Sequence, residues 1–325
     1  MACMSKDGSG AMNVVYGDVT LGAHGPGFDY IFSYSAGGPV SLVRDGREWL
    51  YRAPKPTFWR AATDNDRGNG FPFRSAMWMG ADLYVETGKI RVFVDGKQKK
   101  DVTAPGNNSC ADAPEARELA VKYTYHTPTV PKTSVDVTYT VSWDGEIRVD
   151  VDYHGKEGLP QLPVFGLRFI MPTPASGYEY TGLSGETYPD RMAGGRKGRY
   201  QIDGLPVTPY LVPQDCGVHM ETQSLVVTRK TVLANEKREE EEFSLKFSME
   251  DGKPFAFSCL PYTALELENA SHQEELPLPR RTVVCILGAV RGVGGIDSWG
   301  ADVEPAYRID GEKDIHFSFR IGKDK

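Results

Sequence analysis

The stretch Val135-Asp136-Val137-Thr138-Tyr139-Thr140-Val141-Ser142-Trp143-Asp144-Gly145-Glu146-Ile147-Arg148-Val149-Asp150-Val151-Asp152-Tyr153 decides the fold class. Apolar and polar residues alternate on either side of an Asp-Gly dipeptide, the period of two that gives a strand one buried and one wet face. The same alternation recurs at Leu119, Val121, Tyr123 and Tyr125, and again at Phe243, Leu245, Phe247 and Met249. Asp-Gly also stands at 45–46, 95–96 and 251–252. That dipeptide favours the two-residue type I′ turn, whose twist suits an antiparallel hairpin. Helical patterning is confined to short stretches near Ser75 to Ala81 and Thr263 to Ala270, too little for repeated βαβ units. These patterns predict an all-β protein, a large antiparallel sandwich.

The chain has 325 residues, 40% of them hydrophobic, enough for a sizeable core. No fixed-period repeat or Pro/Gly/Ser linker divides it, so residues 12–325 are expected to form one domain behind a disordered or non-native N-terminus, residues 1–11. Thr103 to Arg117 reads as a loop, and the charged run Asn235 to Glu242 as a solvated loop or hairpin tip. A net charge of −7 argues against nucleic acid and anionic membranes as partners and suits a neutral ligand such as a sugar. Cys3, Cys110, Cys216, Cys259 and Cys285 are odd in number and widely spaced, which indicates neither a disulfide framework nor a zinc site and fits a cytoplasmic setting. The first ten residues lack the apolar stretch of a signal peptide, and no run approaches the ~18 apolar residues of a membrane span.

Three loops collect the functional signal. Asp64-Asn65-Asp66 starts like a calcium loop, but Gly68 and Ser75 stand where later ligands belong, so its carboxylates are expected to accept backbone N–H bonds and pin a turn before Gly68-Asn69-Gly70. Gly292-Val293-Gly294-Gly295-Ile296-Asp297-Ser298-Trp299 has Asp297 in place of the third glycine of a dinucleotide fingerprint. It reads instead as a backbone kink that aims Trp299 at a ligand, whereas Trp59, between Phe58 and Arg60, reads as core. Gly182 to Arg191 gathers Glu186, Tyr188, Asp190 and Arg191 where glycine and proline prevent regular structure. It fits a binding surface or seam as well as it fits a corner held by an Asp190–Arg191 ion pair and a Tyr188 hydroxyl bond.

No catalytic set is evident. Ser184 lacks the Gly-x-Ser-x-Gly elbow, and the six histidines form no metal or acid–base spacing. Carboxylates pair in sequence at Asp64/Asp66, Glu186/Asp190, Glu266/Glu268 and Glu274/Glu275, but glycoside hydrolysis needs two carboxyls placed across a sugar bond, which sequence spacing does not establish.

Phe28-Asp29-Tyr30, Phe58 to Gly68, Gly182 to Arg191, Phe255 to Tyr262, Glu274-Glu275-Leu276-Pro277 and Gly292 to Trp299, in this order, closely resemble the small subunit of the heteromeric β-galactosidases. That subunit is equivalent to the C-terminal domain of the single-chain β-galactosidases of glycoside hydrolase family two, and the resemblance covers nearly the whole chain. It implies a β-supersandwich of the galactose-mutarotase-like type. It also implies that the acid/base and nucleophile glutamates, with a Mg2+ site, lie on a separate large subunit, leaving this chain without catalytic residues or a cofactor of its own. The family places the matching tryptophan, here Trp299 beside Asp297 and Ser298, in the active site as an aromatic platform for the β-galactoside. Asp64, Asn65, Asp66, Gly68, Asn69 and Gly70 match a loop that flanks the site; Glu186, Tyr188, Asp190 and Arg191 match a motif without an assigned role. The implied function is hydrolysis of β-galactosides such as lactose, performed with the large subunit and not alone. Two other readings stay open: an independent aldose 1-epimerase, using a glutamate and a histidine on this fold, and a stand-alone carbohydrate-binding module. A chain that docks on a catalytic partner should also expose an apolar patch.

Overall fold

The computed structural model describes residues 10–100, 102, 115–233 and 239–323. Its strands pair antiparallel throughout the described residues and assemble into sheets of six, eleven and five strands. The alternating runs build the largest sheet. Glu118–His126 pairs with Ser134–Ser142, and that strand with Ile147–His154, so that Val121, Tyr139 and Val149 stand in register. All three are fully buried, whereas Lys122, Thr138 and Asp150 on the other face reach solvent.

Asp-Gly turns close hairpins as expected at three of the four positions. Asp45, Asp95 and Asp251 adopt φ near +50° and are each followed by a glycine with positive φ, the type I′ geometry. Asp144 does not, because the loop there is one residue longer. Ser142 and Glu146 close it, Gly145 alone takes the left-handed position, and the Asp144 carboxylate accepts the Glu146 N–H. Of the charged run at 235–242, residues 235–238 lie outside the described residues, and Glu239 already opens the strand Glu239–Met249, which pairs with Ser224–Thr231. Within 103–117, Glu115–Ala116 forms a short strand against Met12 and Asn13, and residues 103–114 lie outside the described residues.

Ile315–Gly322 lies between Ile147–His154 and Glu239–Met249 in the eleven-stranded sheet, where it joins strands distant in sequence. A single cluster of buried apolar side chains draws on all three sheets, including Tyr30 and Phe32, then Tyr139 and Phe247, then Phe169 and Phe257. Each such side chain contributes roughly 1.5–3 kcal/mol by leaving water.

The five-stranded sheet positions the loops of interest. Val164–Met171 lies between Arg52–Thr57 and Thr282–Val290, with Gly166 opposite Thr57 and Val164 opposite Val290. The chain therefore leaves the sheet at Thr57 and at Val290 from the same end. Phe58 to Gly68 and Gly292 to Trp299, more than 220 residues apart in sequence, emerge side by side.

Candidate site around an exposed tryptophan

Asp64–Gly68 is a one-turn helix where a turn was expected, and its start is specified locally. Thr63 caps it by accepting the Asp66 N–H, while the Asp66 carboxylate accepts the Thr63 N–H. Asp66 also faces Arg60, whose Nη2 lies 3.2 and 2.9 Å from its two oxygens. Both side chains are buried, at 1% and 3% exposure, so the ion pair is shielded from water and screening. Arg60 further donates to the carbonyls of Arg291 and Gly292, each at 2.8 Å. One guanidinium thus ties the helical turn to the root of the glycine loop.

Asp190 grips that loop from the other side. Its carboxylate accepts the N–H groups of Val293 (2.9 Å) and Gly294 (2.8 Å), and Arg191 donates to the Gly294 carbonyl. Asn65 donates to the Val293 carbonyl at 2.9 Å. Gly294 and Gly295 have φ of +69° and +73°, a left-handed pair that only glycine adopts without strain. A Cβ on Gly295 would come within 2.7 Å of Asn65 Nδ2, and one on Gly300 within 3.0 Å of the Gly68 carbonyl. Beyond this clamp the chain turns around Asp297, whose Oδ1 accepts from Trp299 N (2.9 Å) and Ala301 N (3.1 Å). Trp299 projects from the turn 91% exposed, with Ser298 exposed beside it. Its indole face is open to whatever approaches.

The motif at 182–191 acquires contacts in this frame. Asp190 and Arg191 form the expected ion pair at 3.7 Å, but their larger engagement is with the glycine loop. The Tyr188 hydroxyl donates to Asp215 at 3.0 Å, and Thr208 donates to Glu186 at 2.9 Å. Burial raises the Asp215 carboxyl to about 7, against the lowering influence of Arg60 and the Tyr188 hydroxyl. On the far side, Asn69 accepts the Phe71 N–H, Gly70 takes φ +72°, and Asp302 receives Arg291 and Arg74. Asp64 is exposed and meets Arg67. The loops singled out in the sequence therefore converge on one rim.

Sequence reading missed Arg60, Arg291, Asp302 and Asp215, which hold that rim together. One signal was present: a single arginine inside the apolar run Phe58 to Ala62 calls for a buried partner. Trp59 is core, 4% exposed, with its Nε1 donating to Glu268 at 3.1 Å. Three of the sequence-adjacent glutamates are committed elsewhere. Glu266 completes the capping box with Thr263, Glu268 also accepts the Ala62 N–H, and Glu275 accepts the Ser271 N–H. Asp66, at the calcium-like triplet, neutralises Arg60, and no cluster of three or more His, Cys, Asp or Glu among the described residues is placed for a metal ion. Among the described residues no helix is long and apolar enough to cross a membrane.

The family model described as Beta galactosidase small chain matches residues 24–321. A β-galactosidase small subunit from Latilactobacillus sakei is 61% identical over 308 residues, 95% of this chain and 96% of that one. The β-galactosidase of Halalkalibacterium halodurans is 36% identical over 98% of this chain, and that of Streptococcus thermophilus 33% over 95%; the chain spans only 29% and 27% of their lengths. Among solved structures, a galactose mutarotase-like protein from Lactobacillus casei overlaps 96% of this chain and all of its own, with a TM-score of 0.41 and 9% identity. The chain belongs to the β-galactosidase small-chain family.

Proposed function

We propose that this chain is the non-catalytic subunit of a heteromeric β-galactosidase, and that with a large subunit it hydrolyses terminal β-D-galactosides such as lactose. The observation that carries the reading is Trp299, an indole 91% exposed at the tip of a loop whose root is fixed by buried charge. A fully wet indole is a poor use of a large apolar side chain, whereas a ring face held rigid suits the C–H face of a sugar. The clamp supplies pre-organisation, since Arg60, Asp190 and Asn65 fix the loop before any ligand arrives.

In this reading the chemistry of double displacement, and any Mg2+, belongs to the large subunit, and residues 12–325 act as one unit that completes its pocket in the cytoplasm. Asp297 shapes the tip, and the helical turn at Asp64–Gly68 with Asn69 and Gly70 forms one wall. An epimerase of this fold requires a histidine acid and a glutamate base facing one cavity. His219, the only buried histidine among the described residues, is enclosed by Phe257 and Tyr180, bonded at both nitrogens, and lowered by burial to about 4. That geometry favours a structural imidazole.

The test is cleavage of a chromogenic β-galactoside by this chain alone, by the large subunit alone and by the mixture. Activity only in the mixture is expected. Efficient cleavage by the purified chain alone refutes the proposal.

A further inference from the structure

The segment that follows the Asp64–Gly68 turn carries large apolar side chains both inward and outward. Residues 71–84 form a helical turn at Phe71–Arg74 and tight 3-10 turns at Ala76–Trp78 and Ala81–Leu83. Phe71, Trp78 and Ala81 face inward; Trp78 stacks on Phe58 with centroids 5.3 Å apart and donates to the Pro160 carbonyl. Between them Phe73, Met77, Met79, Leu83 and Tyr84 are exposed, Phe73 at 88% and Tyr84 at 72%. Scattered exposed apolar residues are ordinary, but five within residues 73–84 make a surface that calls for a cover.

Both ends of this surface lead somewhere. At the near end Arg74 donates to Asp302 at 3.1 Å, and Gly300 lies against the Gly68 carbonyl, so the patch shares a rim with the Trp299 loop. At the far end Leu83 lines a cleft of about 600 Å³ together with Tyr51, Leu278, Arg52, Arg280 and Arg281. The guanidinium carbons of Arg281 and Arg52 lie 3.9 and 5.3 Å from the centre of the Tyr51 ring. Among the described residues none of these three arginines pairs with a carboxylate, although the chain carries a net charge of −7. Glu266, which also lines the cleft, is held in its capping box with Thr263.

We propose that the outer face of residues 71–84, continued into the cleft at Tyr51 and Arg281, is the docking surface for the large β-galactosidase subunit. That partner lays apolar side chains on Phe73, Met79, Leu83 and Tyr84 and presents carboxylates to the arginines. The proposal rests on the subunit reading above. Two observations choose this occupant over a second copy of the chain. The longer relatives carry this region covalently, as less than a third of one β-galactosidase polypeptide. Arg74, next to Phe73, is tied to Asp302, three residues beyond Trp299, so a body seated on the indole lies beside this face.

The experiment measures the dissociation constant of the purified chain and its large subunit by sedimentation, beside galactosidase activity. Phe73→Ser/Tyr84→Ser removes two exposed rings without touching the core, and an unchanged thermal midpoint verifies the fold. The double variant should bind at least tenfold more weakly, and any smaller change overturns the proposal. Arg280→Glu should also weaken binding tenfold or more, with a smaller deficit at 1 M salt, where ionic screening is nearly complete. A deficit insensitive to salt removes the carboxylate contacts from the proposal. Val19→Ser, exposed in the turn between the strands Met12–Tyr16 and Thr20–Gly25, is the control and should bind within twofold of the unchanged chain. If the double variant abolishes self-association and leaves affinity for the large subunit intact, the face belongs to a second copy and the proposal falls. A large subunit that binds through this face without any galactoside cleavage refutes the subunit function and leaves the docking surface standing.

Discussion

Replacing Arg60 by methionine isolates the contribution of one buried charge to the shape of the tryptophan loop. The thioether fills much of the space of the arginine stem, so the loss is largely that of the guanidinium. Asp66 is then left at 1% exposure with no cation against it. Breaking one side of a buried pair costs roughly 3–5 kcal/mol. The Arg291 and Gly292 carbonyls also lose their donor, at about 1 kcal/mol each. The total is comparable with the whole stability of many domains, about 5–15 kcal/mol. Urea denaturation should therefore show a steep fall in midpoint, and hydrogen exchange should speed up at the amides of residues 292–295. A second substitution separates charge from packing: Asp66→Asn keeps an oxygen for the Thr63 N–H, now 3.2 Å away, but carries no charge. Arg60→Met/Asp66→Asn should be more stable than Arg60→Met alone by about 2 kcal/mol, the scale of an unpaired buried charge relieved. A loss below about 1 kcal/mol for Arg60→Met, or a double variant no better than the single, refutes the reasoning.

Three further outcomes are expected. In the reconstituted enzyme Trp299→Ala should raise KM for galactosides with little change in thermal midpoint, by about 1–3 kcal/mol of lost binding; identical kinetics would remove the indole from the pocket. Gly295→Ala should destabilise the loop by roughly 1–2 kcal/mol through its left-handed φ, and more if Asn65 does not yield; unaltered exchange at Gly294 would contradict the geometry. Asp215 has its folded value raised by burial to about 7, so folding favours its protonated form. The associated stability is complete below the unfolded value of about 4 and declines as pH rises to about 7, by at most roughly 4 kcal/mol. Asp215→Asn should flatten stability between those limits, and an equally steep profile in the variant would exclude Asp215 as its source.

The sheets were legible because alternation and Asp-Gly turns are local signals. Residues 119–125, 135–141, 147–153 and 243–249 all became strands, and three of four Asp-Gly turns took the expected form. The exception at Asp144-Gly145 turned on one residue of loop length, set by which strand positions face each other. At the site, the glycine kink and the exposure of Trp299 were readable because few conformations suit Gly294-Gly295. The clamp was not. Arg60 meets Gly292 across 232 residues and Asp190 meets Gly294 across 104, contacts that follow from strand order and leave no local periodicity. The turn at Asp64 became a helix because Thr63 and Asp66 cap each other, a short-range pairing visible in sequence only with hindsight.

The position of Ile315–Gly322 bears on how the molecule comes into being. This late segment is the seam between two halves of the broadest sheet, bonded to Ile147–His154 on one flank and Glu239–Met249 on the other. A nascent chain holds both flanks as unsatisfied edges until residue 322 has emerged, and such edges invite pairing with foreign strands. Assembly by this route is dominated by long-range closure and belongs to the slow class of folding reactions. Cells making the protein would have to guard the first of those open borders from residue 154 onward and both of them from residue 249 to residue 322.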